Sequence, residues 1–187
     1  NCLELDEQIT ARIYPKQGSE FKGTCFIVDL PSSKQDRTHR HASWLDIRRN
    51  IKSARLDVAV RDIAIDIFSI LANAEAAVHG IITEDVSFHE VGAADSIVDI
   101  IVAAVLINAL SPCEWLVSDL PRGRGQINSQ HGYLPLPAPA SARILEGFVL
   151  VDDGEYGERI TPTGAAILKY LNPDQNPDPL PRRLLYS

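Results

Sequence analysis

The sequence predicts an α+β or α/β fold, with a small sheet, an amino-terminal hairpin and about five helices. Three observations carry this. Gln8 to Tyr14 and Phe21 to Asp29 alternate apolar and polar residues as strands do. From Ser43 onward, apolar residues recur at helical spacing in several separate stretches. Between them, Val86 to Asp99 (VSFHEVGAADSIVD) reads as a short strand feeding directly into a helix.

Taken in order, Pro15-Lys16-Gln17-Gly18 is a turn joining the first two strands into a hairpin, which makes residues 1–30 one unit. Residues 31–42 form a polar, aperiodic loop ending in Thr38-His39-Arg40-His41. Ser43 caps a helix with Leu45, Ile47 and Ile51 on one side and Arg48, Arg49 and Lys52 on the other. A second helix runs from about Asp57 to Val78, with Val58, Ile63, Ile65, Ile67, Phe68, Leu71 and Ala74 as its stripe and Gly80 as its stop.

Asp95-Ser96 starts the next helix, whose stripe is Ile97, Ile100, Ile101, Ala104 and Val105. Cys113 to Leu120 reads as one strand ending in Pro121-Arg122-Gly123-Arg124-Gly125. The following loop holds His131-Gly132 and a run of prolines that rules out helix interior. Ala138 to Leu145 returns to a short helix, and Phe148 to Val151 is a strand. Thr161-Pro162-Thr163-Gly164 opens the last helix with threonine as cap and proline at its first position. Residues 43–172 form the core unit, and residues 173–187 a proline-rich tail.

Composition limits the function classes. A chain of 187 residues, 45% hydrophobic and 23% charged, is long enough to bury a core. Its net charge of −7 argues against a general nucleic-acid binder, which needs a basic face for phosphates. No apolar run is long enough to span a membrane. Cys2, Cys25 and Cys113 are odd in number and widely spaced, which gives neither a disulfide framework nor a zinc pattern, and a cytoplasmic location is expected. The chain opens on Asn1, holds no methionine and closes on the proline-rich tail, so it is expected to be a piece of something larger.

Chemistry is expected first at the strand-to-helix junction, where free backbone N–H groups and the positive end of a helix dipole gather ligands. His89, Glu90, Asp95 and Asp99 all sit there. Asp95 and Asp99 are four apart and share one helix face, whereas His89 and Glu90 point to opposite faces of the strand. Capping alone would explain the two aspartates, and a hydrogen-bonded imidazole would explain His89; a ligand site would explain all of them.

Elsewhere, Arg122 and Arg124 at a strand end could hold an anion through their planar donor forks. The Thr161 helix start, with Thr163 and Gly164, is a second anion candidate, and simple capping is its alternative. His131 in its loop is functional if buried and idle if exposed. His39 and His41 share a face in an extended segment and could hold nickel, zinc or copper together, although two imidazoles are not a full coordination sphere. His79 ends a helix as a dipole-favoured cap.

Three long blocks then align with one family. FHEVGAADSIVDI (Phe88 to Ile100), HGYLPLPAPA (His131 to Ala140) and ERITPTGAAIL (Glu158 to Leu168) resemble the signature blocks of the LarC-type nickel-insertion family. THRHASWLDIRRNI (Thr38 to Ile51) and AEAAVHG (Ala74 to Gly80) are similar to the blocks that precede them there. The resemblance covers Thr38 to Leu171. The family's opening Asp- and Gly-rich block, its separate carboxy-terminal region and its usually richer histidine loop are not recognisable in this chain.

The resemblance implies CTP-dependent nickel insertion into pyridinium-3,5-bisthiocarboxylic acid mononucleotide, giving the nickel-pincer nucleotide of lactate racemase-type apoenzymes. On that reading His39, His41, His89, Asp95 and Asp99 would handle nickel, and His89, Glu90, Asp95 and His131 would do the proton chemistry. Arg122, Arg124, Thr161, Thr163 and Gly164 would receive phosphate. CTP with Mg or Mn would be handled largely by the carboxy-terminal region. The expected partners are the mononucleotide substrate and a racemase-type apoenzyme, with no nucleic acid and no membrane; a homo-oligomer is allowed. The alternative is a non-catalytic metal- or nucleotide-binding module that delivers cargo.

Overall fold

The computed structural model describes residues 10–17, 22–29, 42–88, 94–129 and 132–175. It shows a mixed α+β fold with five α-helices among those residues and strands paired in twos. Strands β1 (Thr10–Gln17) and β2 (Lys22–Asp29) form the expected antiparallel hairpin. Pro15 lies inside β1, opposite Thr24, and does not belong to the turn. A two-stranded ribbon has only edge strands, where a residue without an N–H is tolerated.

The core is built around one helix. Helix α2 (Val58–His79) packs against α1 (Trp44–Ser53), α3 (Ala94–Leu110), α4 (Pro139–Ile144) and α5 (Pro162–Leu171). Neighbours on several sides explain why its buried set of Val60, Ala64, Ile67, Phe68, Leu71, Ala72, Ala74 and Ala76 is wider than a single stripe. Alanines at four of these positions let the neighbouring helices approach closely. Gly80 ends α2 in a left-handed conformation, φ 67°, with its N–H on the Ala76 carbonyl. Val58, expected in the stripe, is 67% exposed, because it lies two residues, roughly 200° around the helix, from the buried Val60.

In α1 the buried positions are Trp44, Ile47 and Ile51, and Leu45 is exposed. The Ser43 hydroxyl accepts the Asp46 N–H as the expected cap, so the helix begins at Trp44, and the inward face follows from that residue at i, i+3 and i+7. In α3, Ile100, Ile101, Ala104 and Ile107 face inward, whereas Val105 is 43% exposed. This helix is apolar nearly all round, so its sequence alone does not single out the buried face.

Short strands tie the remaining segments together. The single strand expected over Cys113 to Leu120 is two: β5 (Leu116–Val117) and β6 (Leu120–Pro121). Strand β6 pairs in parallel with β9 (Leu150–Val151), and β5 pairs in parallel with β10 (Asp174–Gln175). The chain therefore changes partner between Val117 and Leu120. The side chain of Gln175 bridges the two pairs: its Oε1 accepts the Val149 N–H at 2.7 Å, and its Nε2 donates to the carbonyls of Val149 and Ser118. Asp174 and Gln175, in the expected tail, thus pair with β5, and Gln175 bonds to Val149. The expected loop around His131 is instead a hairpin of β7 (Gln126–Ser129) and β8 (Gly132–Pro135). Its connection lacks the Asn-Gly or Asp-Gly signal that marks such turns in a sequence.

Candidate functional site

An aromatic stack holds the approach to the strand-to-helix junction. Strand β3 (Ala42–Ser43) pairs antiparallel with β4 (Ser87–Phe88), and the Trp44 N–H donates to the Val86 carbonyl at 2.9 Å. Val86 and Phe88 are buried and Ser87 between them is half-buried, the alternation read from the sequence. The Phe88 ring sits 6.2 Å from Phe68, tilted by 55°, and Phe68 stacks on Trp44 at 6.4 Å. Rings from α1, α2 and β4 therefore fix the backbone up to Phe88. Helix α3 starts at Ala94, which places Asp95 within its first turn and not at its cap. Asp99 lies one turn further on and is exposed. His89 and Glu90, between Phe88 and α3, lie outside the described residues, as does the side chain of Asp95.

The two arginines expected to hold an anion already grip one, and it is internal. Arg124 donates from Nε to both oxygens of Asp152 at 2.8 and 2.9 Å and from Nη2 to Oδ2 at 2.8 Å. Arg122 Nη2 adds a bond to the same Oδ2 at 3.1 Å, and the Gly154 N–H reaches Oδ1 at 3.0 Å. The hydrogen bonds from Arg124 and Gly154, with the charges of both arginines, lower the Asp152 carboxyl to about 2. The same pairing raises the pKa of Arg124. Two guanidinium groups around one carboxylate leave a single formal positive charge, so an external phosphate would have to join or displace Asp152.

The surrounding loop repeats the pattern. Arg159 Nε donates to Asp153 Oδ2 at 2.7 Å, and the Glu155 N–H donates to Asp153 Oδ1 at 3.1 Å. Partial desolvation works against ionisation of Asp153, but these donors outweigh it and its carboxyl lies below the usual value. Backbone contact closes the cluster: Gly157 N–H donates to the Arg124 carbonyl at 2.9 Å. Gly123 is required for that approach, since a Cβ there would lie 2.5 Å from the Gly157 carbonyl oxygen and its φ is +78°. Asp152 and Asp153 were not foreseen from the sequence. They lie about thirty residues from the arginines, and only the parallel register Leu120↔Leu150, Pro121↔Val151 brings Arg122 beside Asp152.

At the start of α5, Thr161 is the N-cap, its Oγ1 accepting the Gly164 N–H at 3.2 Å while its carbonyl accepts the Ala165 N–H. Pro162 has no N–H to offer, so Thr163 supplies the one first-turn amide left without an intrahelical acceptor. Capping thus uses most of what the expected anion site would have offered. His131 lies between the paired ends Ser129 and Gly132 but outside the described residues, as do His39 and His41. His79 ends α2 with its Nε2 3.4 Å from Glu75 Oε2. Among the described residues no group of three or more His, Cys, Asp or Glu is placed to hold a metal ion. Also among them, no helix is long and apolar enough to cross a membrane.

The relatives of the chain supply what this geometry leaves open. The family model described as nickel insertion protein matches residues 1–183. A provisionally named nickel insertion protein of Citrifermentans bemidjiense is 47% identical over 157 residues, 84% of this chain and 40% of that one. The pyridinium-3,5-bisthiocarboxylic acid mononucleotide nickel insertion protein of Akkermansia muciniphila is 40% identical over 173 residues, 91% of this chain and 42% of that one. A provisionally named archaeal counterpart, from Methanocaldococcus jannaschii, is 42% identical over 132 residues, 70% of this chain and 35% of that one. No solved structure matches. The chain spans about two-fifths of the length of the curated relatives it matches. With the family model covering nearly every residue, the chain belongs to the nickel insertion protein family.

Proposed function

We propose that this chain takes part in inserting nickel into pyridinium-3,5-bisthiocarboxylic acid mononucleotide, as a CTP-dependent nickel chelatase of the lyase class. The observation that carries the reading is the similarity, over 91% of the chain, to the Akkermansia muciniphila protein named for that substrate. The product is the nickel-pincer nucleotide, made for a lactate racemase-type apoenzyme in the cytoplasm. CTP with Mg or Mn is the co-substrate.

The chemistry asks for two kinds of group. Nickel has to be held by nitrogen and oxygen donors weak enough to give it up to sulfur and carbon, a role suited to His39, His41, His89, Asp95 and Asp99. As the nickel–carbon bond forms, the ring carbon between the two thiocarboxylate arms loses its proton. His89, Glu90 or His131 would take that proton, with Asp95 orienting the metal or the base. Support for the junction as the place comes from the aromatic anchor of Phe88 on Phe68, which fixes the strand directly before His89. For a phosphate, of the substrate or of CTP, Arg122 and Arg124 would contribute the one charge that Asp152 leaves over, and Thr163, beside Thr161 and Gly164, an amide.

The test is to incubate the chain with nickel, CTP, Mg and the bisthiocarboxylate mononucleotide, following the nickel-bound product by mass spectrometry and by activation of a racemase apoenzyme. Product from the parent protein but not from His89→Ala with Asp95→Ala supports the reading; undiminished product from that variant removes the junction from the mechanism. A second reading, a non-catalytic module that carries metal or nucleotide, draws on the chain spanning about two-fifths of its relatives. Nickel binding by calorimetry without turnover, restored to turnover by adding the part of a relative that this chain does not span, would favour it.

A further inference from the structure

Two cations that pair with no carboxylate among the described residues lie elsewhere. Helices α2, α4 and α5 enclose an open cleft of about 350 Å³ lined by Asn73, Arg143, Glu146 and Lys169, with Ile70 and Ile144 as apolar wall. That volume is at the lower end of small-molecule sites, and an apolar wall with a few convergent polar groups is their usual composition. Arg143, in the last turn of α4, makes no ion pair with any described residue. Lys169 is held by neutral groups: its Nζ donates to the Glu146 carbonyl at 2.8 Å and lies 5.8 Å from the centre of the Phe148 ring. A carbonyl and a π face orient an ammonium without cancelling its charge. Asn73 accepts the Thr83 hydroxyl on Oδ1 at 3.0 Å, which leaves its amide N–H groups as donors.

Against these donors stands one acid, Glu146, also without an ion pair among the described residues. Two cations and an amide beside a single carboxylate suit a ligand carrying both signs: a phosphate monoester close to a quaternary ring nitrogen. We infer that the cleft between α2, α4 and α5 binds the phosphate of a pyridinium mononucleotide through Arg143, Lys169 and Asn73, with Glu146 facing the quaternary ring nitrogen. The identity of the ligand rests on the nickel-insertion reading; the cleft's preference for a phosphate with a cationic ring does not.

Calorimetry with the intact chain, using nicotinamide mononucleotide and inorganic phosphate as probes, tests this. The parent protein binds the mononucleotide more tightly than phosphate, and Arg143→Gln with Lys169→Gln weakens both by at least about tenfold, since each charge-assisted bond lost is worth about that much. Glu146→Gln weakens the mononucleotide alone, and Lys169→Arg restores part of the loss. Arg48→Gln with Arg55→Gln, which removes the same net charge from exposed positions elsewhere, leaves binding within twofold. No binding by the parent protein, or equal loss in the Arg48 and Arg55 variant, overturns the assignment. Nickel insertion that proceeds with unchanged KM in the Arg143 and Lys169 variant sinks the cleft and spares the function. Mononucleotide binding that depends on the cleft, in a protein that inserts no nickel, does the reverse.

Discussion

Replacing Gly123 by alanine should be far more damaging than replacing Gly157, although the two glycines meet across the same contact. Both have positive φ, +78° and +100°, so an alanine at either is strained by about 1–2 kcal/mol. At Gly157 nothing lies within 4 Å of the added Cβ, and the strain is the whole cost. At Gly123 the Cβ would also lie 2.5 Å from the Gly157 carbonyl oxygen, so the two backbones must part by about an ångström to reach ordinary contact. That movement breaks the Gly157 N–H to Arg124 carbonyl bond of 2.9 Å, a further loss of about 0.5–1.5 kcal/mol. With a urea slope of about 2 kcal/mol per molar, Gly157→Ala lowers the unfolding midpoint by about 0.5–1 M and Gly123→Ala by about 0.8–1.8 M. Far-UV circular dichroism through a urea titration reads both. Equal midpoints for the two variants would refute the claim that close backbone approach, and not turn geometry alone, demands glycine at 123.

Further expectations follow from single groups. Because the Asp152 carboxyl is lowered to about 2 from 3.8, its stabilising pairing is fully present above pH 4 and lost as pH falls towards 2. Asp152→Asn should therefore be less stable than the parent at pH 7 and converge with it in acid; a gap that stays constant down to pH 2 would contradict the pairing. Ser141 is fully buried with its hydroxyl unpartnered among the described residues, so Ser141→Ala should range from neutral to about 1 kcal/mol more stable in thermal melts, and a clear loss would mean the hydroxyl has a partner. Thr161→Ala removes the cap on Gly164 and should cost about 1 kcal/mol, seen as faster amide exchange at Gly164 with little change elsewhere.

Signals that act within a few residues were legible in the sequence. The Ser43 and Thr161 caps, the Gly80 stop and the hairpin of β1 and β2 each depend on neighbours close along the chain, and the structure places them where local chemistry puts them. The strand before His89 was visible for the same reason: alternation of Val86, Ser87 and Phe88 is a local pattern. Leu45 and Val105 were misjudged because an apolar residue looks alike whether it faces a neighbour or solvent. At Leu45 the face turned on whether it or the adjoining Trp44 shared the inward side with Ile47 and Ile51; at Val105, on which side of an all-apolar helix the core lay.

The sequence by itself determined the class of fold, the positions of the five helices and, through long ordered blocks, the family. Each of these is written in residues that are near one another along the chain or that keep their order. What faces what was decided only by tertiary structure. The parallel pairing of β6 with β9 turned Arg122 and Arg124 onto Asp152, and the packing of α4 and α5 on α2 left Arg143 and Lys169 beside an open cleft. Whether a cation is free for a ligand depends on the carboxylates that folding brings within about 4 Å, and that distance is not a function of separation along the chain.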